Sequence, residues 1–158
     1  MVKFLFVCTG NTCRSPMAEL YFRYLAEQNN LNISVKSAGL CAYSGDTISQ
    51  HSKEVMLENN IPCANFTSTL LTKELIDESN FIIGISFSHY QNILHKFPNA
   101  QGKCFPLISF LNDESASMDI LDPFGGSLDV YRDVFAMMKP ALDNMIVLIK
   151  EALTNNNQ

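Results

Sequence analysis

The sequence predicts an α/β fold in a single domain, with its strands parallel in a buried sheet. Three observations predict it. Four short runs read as strands, the first and third apolar enough to be buried; segments with helical apolar spacing separate them; and the first run breaks into a loop of small and polar residues before a helix begins.

The first strand is "VKFLFVC", residues 2–8, and Met17, Leu20, Tyr21, Tyr24 and Leu25 then recur at i, i+3, i+4, i+7 and i+8, so the period changes to helical across the loop. "ISVKSAG" (33–39) reads as a second strand ending at Gly39, and "ISQHSKEVMLENN" (48–60) and "TKELIDES" (72–79) read as helices. "NFIIGIS" (80–86) is a third buried strand, followed by a helix over "HYQNILHKF" (89–97) and a fourth strand in "GKCFPL" (102–107). Tyr131, Val134, Phe135, Met138, Leu142, Met145, Ile146 and Ile149 mark a long final helix, where Pro140 removes a backbone donor and predicts a kink. The domain is expected to span 1–153, with "TNNNQ" (154–158) a frayed tail. No internal repeat or linker divides the chain.

At 158 residues and 47% hydrophobic, the chain can bury about two thirds of its unfolded surface in one core. Charged residues make up 17% and the net charge is −5, which provides no diffuse basic face for nucleic acid or anionic lipid; an anion must be held by a local device. The five cysteines, at 8, 13, 41, 63 and 104, lack the paired regularity of a secreted disulfide scaffold, so a reduced, cytoplasmic setting is expected. "MVKFLFV" is too short for the apolar region of a signal peptide or for a membrane span.

Open parallel sheets bind ligands at the carboxyl ends of their strands, where "CTGNTCRS" (8–15) lies. Gly10 and Asn11 tolerate positive φ, and a loop turning that way points successive N–H groups into one concavity sized for phosphate. Ser15 reads as a helix N-cap and Pro16 as the first helical residue, aiming the positive helix end at the same spot. Cys8 and Arg14 distinguish this cradle from others. A thiol beside a helix N-terminus, N–H donors and a guanidinium is favoured as its nucleophilic thiolate, and Arg14 can clamp two phosphoryl oxygens with its planar fork. Zinc is not expected, because Cys8 and Cys13 lack a second ligand pair, and no Gly-Lys-[Ser/Thr] marks a nucleotide loop. His51, His89 and His95 read as helix-surface residues, Asp113 and Asp119 as loop charges, and Cys41, Cys63 and Cys104 as structural thiols.

"VCTGNTCRSPMAE" (7–19) closely resembles the phosphate-binding signature of the low-molecular-weight protein tyrosine phosphatases. "SAG" (37–39) and "DPFGG" (122–126) resemble that family's second-strand motif and general-acid loop, so the similarity covers essentially the whole chain. The resemblance implies a four-stranded parallel sheet with helices on both faces, a flavodoxin-like three-layer architecture. It also implies a metal-independent protein phosphatase, without cofactor, that works through a cysteinyl-phosphate. On it, Cys8 is the nucleophile, Arg14 binds the phosphoryl group, Asp122 is the general acid, and Thr9, Gly10, Asn11, Thr12, Cys13, Arg14 and Ser15 form the phosphate loop. Asn11 and Ser15 brace that loop, Ser15 also donating to the thiolate, and Ser37 supports Asn11. Cys13 either fills the loop or pairs reversibly with Cys8 in a protective disulfide.

The chain departs from the family pattern in two places. A supporting histidine found in many members is replaced within "CANFTST" (63–69) by Asn65 or Phe66, and "GISFS" (84–88) lacks the aspartate of animal members. Thr12 resembles the bacterial protein arginine phosphatase branch, whereas tyrosine-specific members carry a bulky aliphatic residue there. Phosphoarginine is therefore expected over phosphotyrosine, with Tyr43 and Phe124 also shaping the mouth. The implied partners are phosphorylated proteins, with inorganic phosphate or other oxyanions as inhibitors at the loop; no nucleic acid or membrane partner is expected, and the protein is expected to be a monomer. Two alternatives use the same features: an arsenate reductase on this scaffold, which needs two neighbouring downstream cysteines that do not occur between Cys63 and Cys104, and a non-catalytic phosphoanion-binding module, which would not need Asp122.

Overall fold

The structure, a computed structural model that describes residues 1–112 and 119–155, is built on four parallel strands in the order β2-β1-β3-β4. These are β1 (Val2–Cys8), β2 (Ile33–Gly39), β3 (Phe81–Gly84) and β4 (Cys104–Pro106), all lying within the apolar runs that predict strands. The helices are α1 (Arg14–Gln28), α2 (Gln50–Glu58), α3 (Lys73–Glu78), α4 (Phe87–Lys96) and α5 (Leu128–Asn155), with short 3-10 turns at Pro98–Ala100 and Leu107–Phe110.

Alternation along β1 sorts its side chains between two cores. Phe4, Phe6 and Cys8 face α1, α2 and α5, packing with Met17, Phe22, Met56, Phe135 and Leu142. Leu5 and Val7 face the other way, against Ile76 of α3 and Ile93 of α4. Helices therefore cover both faces of the sheet, giving three layers. Because β1 pairs with β2 on one side and β3 on the other, the chain reverses its winding direction at β1. A crevice opens at the carboxyl end of a strand at such a switch point, and residues 9–13 occupy it.

The neighbours of that end are Gly39, opposite Cys8, and Gly84, opposite Val7. A Cβ at Gly39 would stand 2.6 Å from the Thr9 carbonyl oxygen and 2.9 Å from the Asn11 nitrogen, so glycine is required for β2 to touch the loop. At Gly84 the obstacle is the Tyr90 backbone nitrogen, 2.6 Å away, where α4 crosses β3.

Element boundaries depart from the sequence pattern at a few places. Helix α4 starts at Phe87 rather than 89, because Ser86 and His89 form a capping box with histidine in the position usually held by Glu or Gln. Helix α5 is continuous through Pro140 and reaches Asn155, two residues into the segment expected to fray. Among the described residues no helix is long and apolar enough to cross a membrane.

Gly39→Ala is expected to destabilise the fold by about 1–3 kcal/mol, since backbone on both sides of the new methyl must shift. Urea unfolding together with phosphate titration checks it: stability and phosphate affinity fall together, and an unchanged affinity in a destabilised variant would contradict the contact described.

Candidate active site

Residues 9–13 turn through one left-handed residue, Asn11, with φ 53°. Gly10, expected to share that conformation, does not, and a Cβ there would meet only the Thr12 hydroxyl at an ordinary 3.7 Å. The N–H groups of Thr9, Gly10, Asn11, Thr12 and Cys13 donate to no backbone carbonyl among the described residues. They are the orphan donors of a loop that runs straight into the first turn of α1, the arrangement that receives an anion.

The Asn11 side chain is fully buried and held on every side. Its Oδ1 accepts the Thr69 N–H at 2.8 Å, which fixes the amide orientation, and its Nδ2 donates to Ser15 Oγ and Ser37 Oγ, each at 2.8 Å. Since Ser15 Oγ accepts from Asn11, its own proton is free for Cys8 Sγ, 2.9 Å away. The Ser37 hydroxyl donates to the buried Glu19 carboxylate, which also pairs with Arg23. Burial pushes the Glu19 carboxyl up, opposed by its bonds to Ser37 and Arg23. From the other side of the loop, Ser68 Oγ donates to the Asn11 carbonyl at 2.7 Å, Ser49 N–H to the Thr12 carbonyl at 2.8 Å, and Ser52 Oγ to the Cys13 carbonyl at 3.1 Å.

Cys8 is buried beneath this ring, and Arg14 is buried beside it. Arg14 donates to the Ile120 carbonyl at 3.2 Å, and its other terminal nitrogen lies 3.7 Å from Asp122 Oδ2. Asp122 itself is exposed, accepting the Phe124 N–H at 3.1 Å. The segment carrying it is clasped to α4, because both Asp119 oxygens accept the Phe87 N–H, at 3.1 and 3.2 Å. The structure therefore brings Arg14 and Asp122, more than 100 residues apart in the chain, together, with Cys8 bonded to Ser15, the neighbour of Arg14. Thr12 is half-buried in the loop, and Tyr43 and Phe124 are exposed rings on the segments flanking it, 80% and 82% accessible. Cys13 Sγ lies 3.3 Å from the Tyr131 hydroxyl, whose titration burial pushes up to about 12.

A model of the low molecular weight phosphotyrosine protein phosphatase family matches residues 3–158. The chain belongs to that family. The protein-arginine-phosphatase of Bacillus subtilis is 36% identical over 147 residues, which is 93% of this chain and 96% of its own. The low molecular weight protein-tyrosine-phosphatase PtpB of Staphylococcus haemolyticus is 32% identical over 155 residues, 98% of this chain and all of its own. Among solved structures, a cysteine-to-serine mutant of the YwlE arginine phosphatase with its active-site serine phosphorylated superposes with a TM-score of 0.87 at 35% identity, covering 94% of this chain and 96% of that one. As a member of the family this chain is a cysteine-dependent phosphoprotein phosphatase.

Several residues differ from their sequence-based expectations. Ser15 is not the N-cap of α1: Cys13 is, with helical dihedrals and no side-chain cap, so Ser15 falls inside the first turn and its hydroxyl serves the loop. Where many family members use a histidine to support the loop, Asn65 and Phe66 make no hydrogen bond to it among the described residues, and Ser68 and the Thr69 N–H of the same segment do. Cys41 is exposed rather than a core thiol, whereas Cys104 is buried and Cys63 half-buried. Asp119 is a clasp rather than a free loop charge; Asp113 lies outside the described residues.

His89 is the largest revision. Expected on a helix surface, it is 3% exposed and places Nε2 2.9 Å from Thr9 Oγ1. Burial, reinforced by the Arg14 charge and opposed by Asp119 and Asp122, pushes its titration from 6.5 down to about 4. A depressed histidine contributes stability that is full above pH 6.5 and is lost as pH falls through about 4, because the unfolded chain takes up its proton first. The loss from this group approaches about 3 kcal/mol. Urea unfolding at pH 7 and pH 4.5 is expected to show wild type losing about 2–3 kcal/mol more than His89→Gln across that interval; equal losses would contradict the buried neutral ring.

Proposed function

We propose that this phosphatase acts on phosphoarginine side chains of proteins in preference to phosphotyrosine, with Cys8 as nucleophile, Arg14 as phosphoryl clamp and Asp122 as general acid. The observation that carries the preference is Thr12, a hydroxyl in the loop wall beside the position of the atom joined to phosphorus. A hydroxyl can hydrogen-bond a guanidinium beside the scissile P–N bond, whereas an aliphatic wall favours an aromatic ring. The name of the Bacillus subtilis relative supports the same reading.

The Cys8 thiolate attacks phosphorus in line, and the P–N bond breaks as Asp122 gives its proton to the departing guanidine nitrogen. The loop N–H groups and Arg14 hold the three equatorial oxygens through the transition state. Water then attacks the cysteinyl-phosphate, passing a proton to the Asp122 carboxylate, and the S–P bond breaks to release inorganic phosphate and the thiolate. The product fits the same cradle and inhibits by occupying it.

A second reading, phosphotyrosine, is favoured by the exposed Tyr43 and Phe124 rings, which can sandwich an aromatic leaving group, and by the name of the Staphylococcus haemolyticus relative. The deciding experiment is kcat/KM for matched phosphoarginine and phosphotyrosine peptides on wild type and Thr12→Ile. Wild type is expected to favour phosphoarginine, and Thr12→Ile to shift the ratio toward phosphotyrosine by about 10–200-fold. A wild type that prefers phosphotyrosine, with no shift in the variant, rejects the reading.

Asp122→Asn is expected to lower kcat by about 10²–10⁴-fold on substrates whose leaving group needs a proton, and far less on aryl phosphates with very acidic phenols. A series of aryl phosphates of graded leaving-group acidity checks this; a loss independent of the leaving group would place the acid elsewhere.

A further inference from the structure

We propose that His89 is a positioning residue that orients the Thr9 hydroxyl toward the leaving group at the mouth of the cradle, a role that rests on the phosphoarginine reading and gives that substrate a second polar neighbour besides Thr12.

The tautomer of His89 follows from its partners. The Ser86 N–H can only donate and stands 3.1 Å from His89 Nδ1, with the Ser86 hydroxyl 2.7 Å from the same nitrogen. Nδ1 is therefore the acceptor of the neutral ring, and the proton lies on Nε2. Nε2 is 2.9 Å from Thr9 Oγ1, so the imidazole donates to the threonine. That bond occupies one lone pair of the hydroxyl and restricts its rotation to the two remaining positions. One lone pair and the hydroxyl proton remain, and Thr9 Oγ1 has no other hydrogen-bond partner among the described residues.

Their direction follows from where Thr9 sits. It is the residue after Cys8, its carbonyl is occupied by the Cys41 N–H at 2.9 Å, and its side chain is exposed although Cys8 beside it is buried. The hydroxyl thus borders the leaving group rather than the deep phosphoryl oxygens. A departing guanidine carries N–H donors that the free lone pair can accept; a phenol ring has none to offer. The charged groups facing the imidazole are Arg14, Asp119 and Asp122, and burial, reinforced by the cationic Arg14, keeps the ring neutral, as a single donor requires. The cap of α4 alone does not call for histidine, since Gln or Glu performs that bond in other capping boxes. What imidazole adds is a second nitrogen on the far side of the ring, which reaches from α4 to the loop.

The test is a double-mutant cycle of Thr9→Val and His89→Leu, with kcat/KM measured on matched phosphoarginine and phosphotyrosine peptides. Each single substitution is expected to lower the phosphoarginine value about tenfold and the phosphotyrosine value less than about threefold, and the double variant to fall no further than either single. Losses that multiply to about a hundredfold in the double variant, or that are equal on both substrates, overturn the proposal. Thr9→Val changes an exposed side chain at nearly constant volume, so its substrate split decides the matter even if His89→Leu does not fold. Imidazole 15N NMR of the wild type gives an independent readout: an Nε2–H tautomer is expected, and an Nδ1–H tautomer overturns the assignment. The wild-type preference between the two peptides reports separately on the substrate reading, while coupling between Thr9 and His89 reports on this one.

Discussion

The site depends on one buried amide. The N–H groups of residues 9–13 donate to no backbone carbonyl among the described residues, and nothing in the local sequence prevents such a loop from collapsing onto itself. Asn11 holds it open. Its left-handed φ costs about 1–2 kcal/mol, and the bonds to Ser15, Ser37, Thr69 and Ser68, each worth about 1 kcal/mol net, more than offset that strain. Those partners come from α1, from β2 and from the segment before α3, so three separate parts of the chain must be in register before the loop takes its shape. In return the donors are arranged before any anion arrives, and no reorganisation is needed at the moment of reaction.

Electrostatics follows the same local logic. A chain of net charge −5 attracts anions nowhere in general, yet here the start of α1, the loop N–H groups and a buried guanidinium converge within one loop. Arg14 is tethered through the Ile120 carbonyl to the segment that bears Asp122, and Asp119 ties that segment to α4. On the proposed mechanism this tether keeps acid and clamp side by side at the same phosphoryl group, so the cradle and the acid loop are positioned as one unit.

Much of this was legible in the sequence, for physical reasons that also mark where it stopped being so. The β1 boundaries coincide with an apolar run because helices cover that strand on both faces, whereas β2, an edge strand that exposes Lys36, is marked by its close at Gly39. Cys8, Arg14 and Asp122 could be singled out as candidates because they lie in compact motifs, and Ser37 because it sits in one. Ser68, Thr69, Asp119 and His89 were not. Each acts through a hydrogen bond to a residue 32 to 80 positions away or to a backbone group, and such bonds leave no periodicity in the chain. His89 illustrates the limit: at the third position of α4 it resembles any polar residue on a first turn, and only the packing of α4 against the carboxyl end of β1 buries it. The cap assigned to Ser15 went astray for a local reason. Cys13 already has helical dihedrals, so α1 begins before the Ser-Pro pair that normally marks a start.

The central claim is that the loop delivers a phosphoryl group to Cys8 itself. It is tested most directly by mixing the enzyme with a phosphoarginine peptide, quenching within the first turnover and locating phosphate by mass spectrometry of the proteolysed chain. The account predicts phosphate on the Cys8 peptide, appearing before free phosphate and decaying as the latter accumulates. Phosphate on a different side chain, or product released with no phosphorylated Cys8 at any time in a reaction whose chemistry is rate-limiting only after capture, would contradict it.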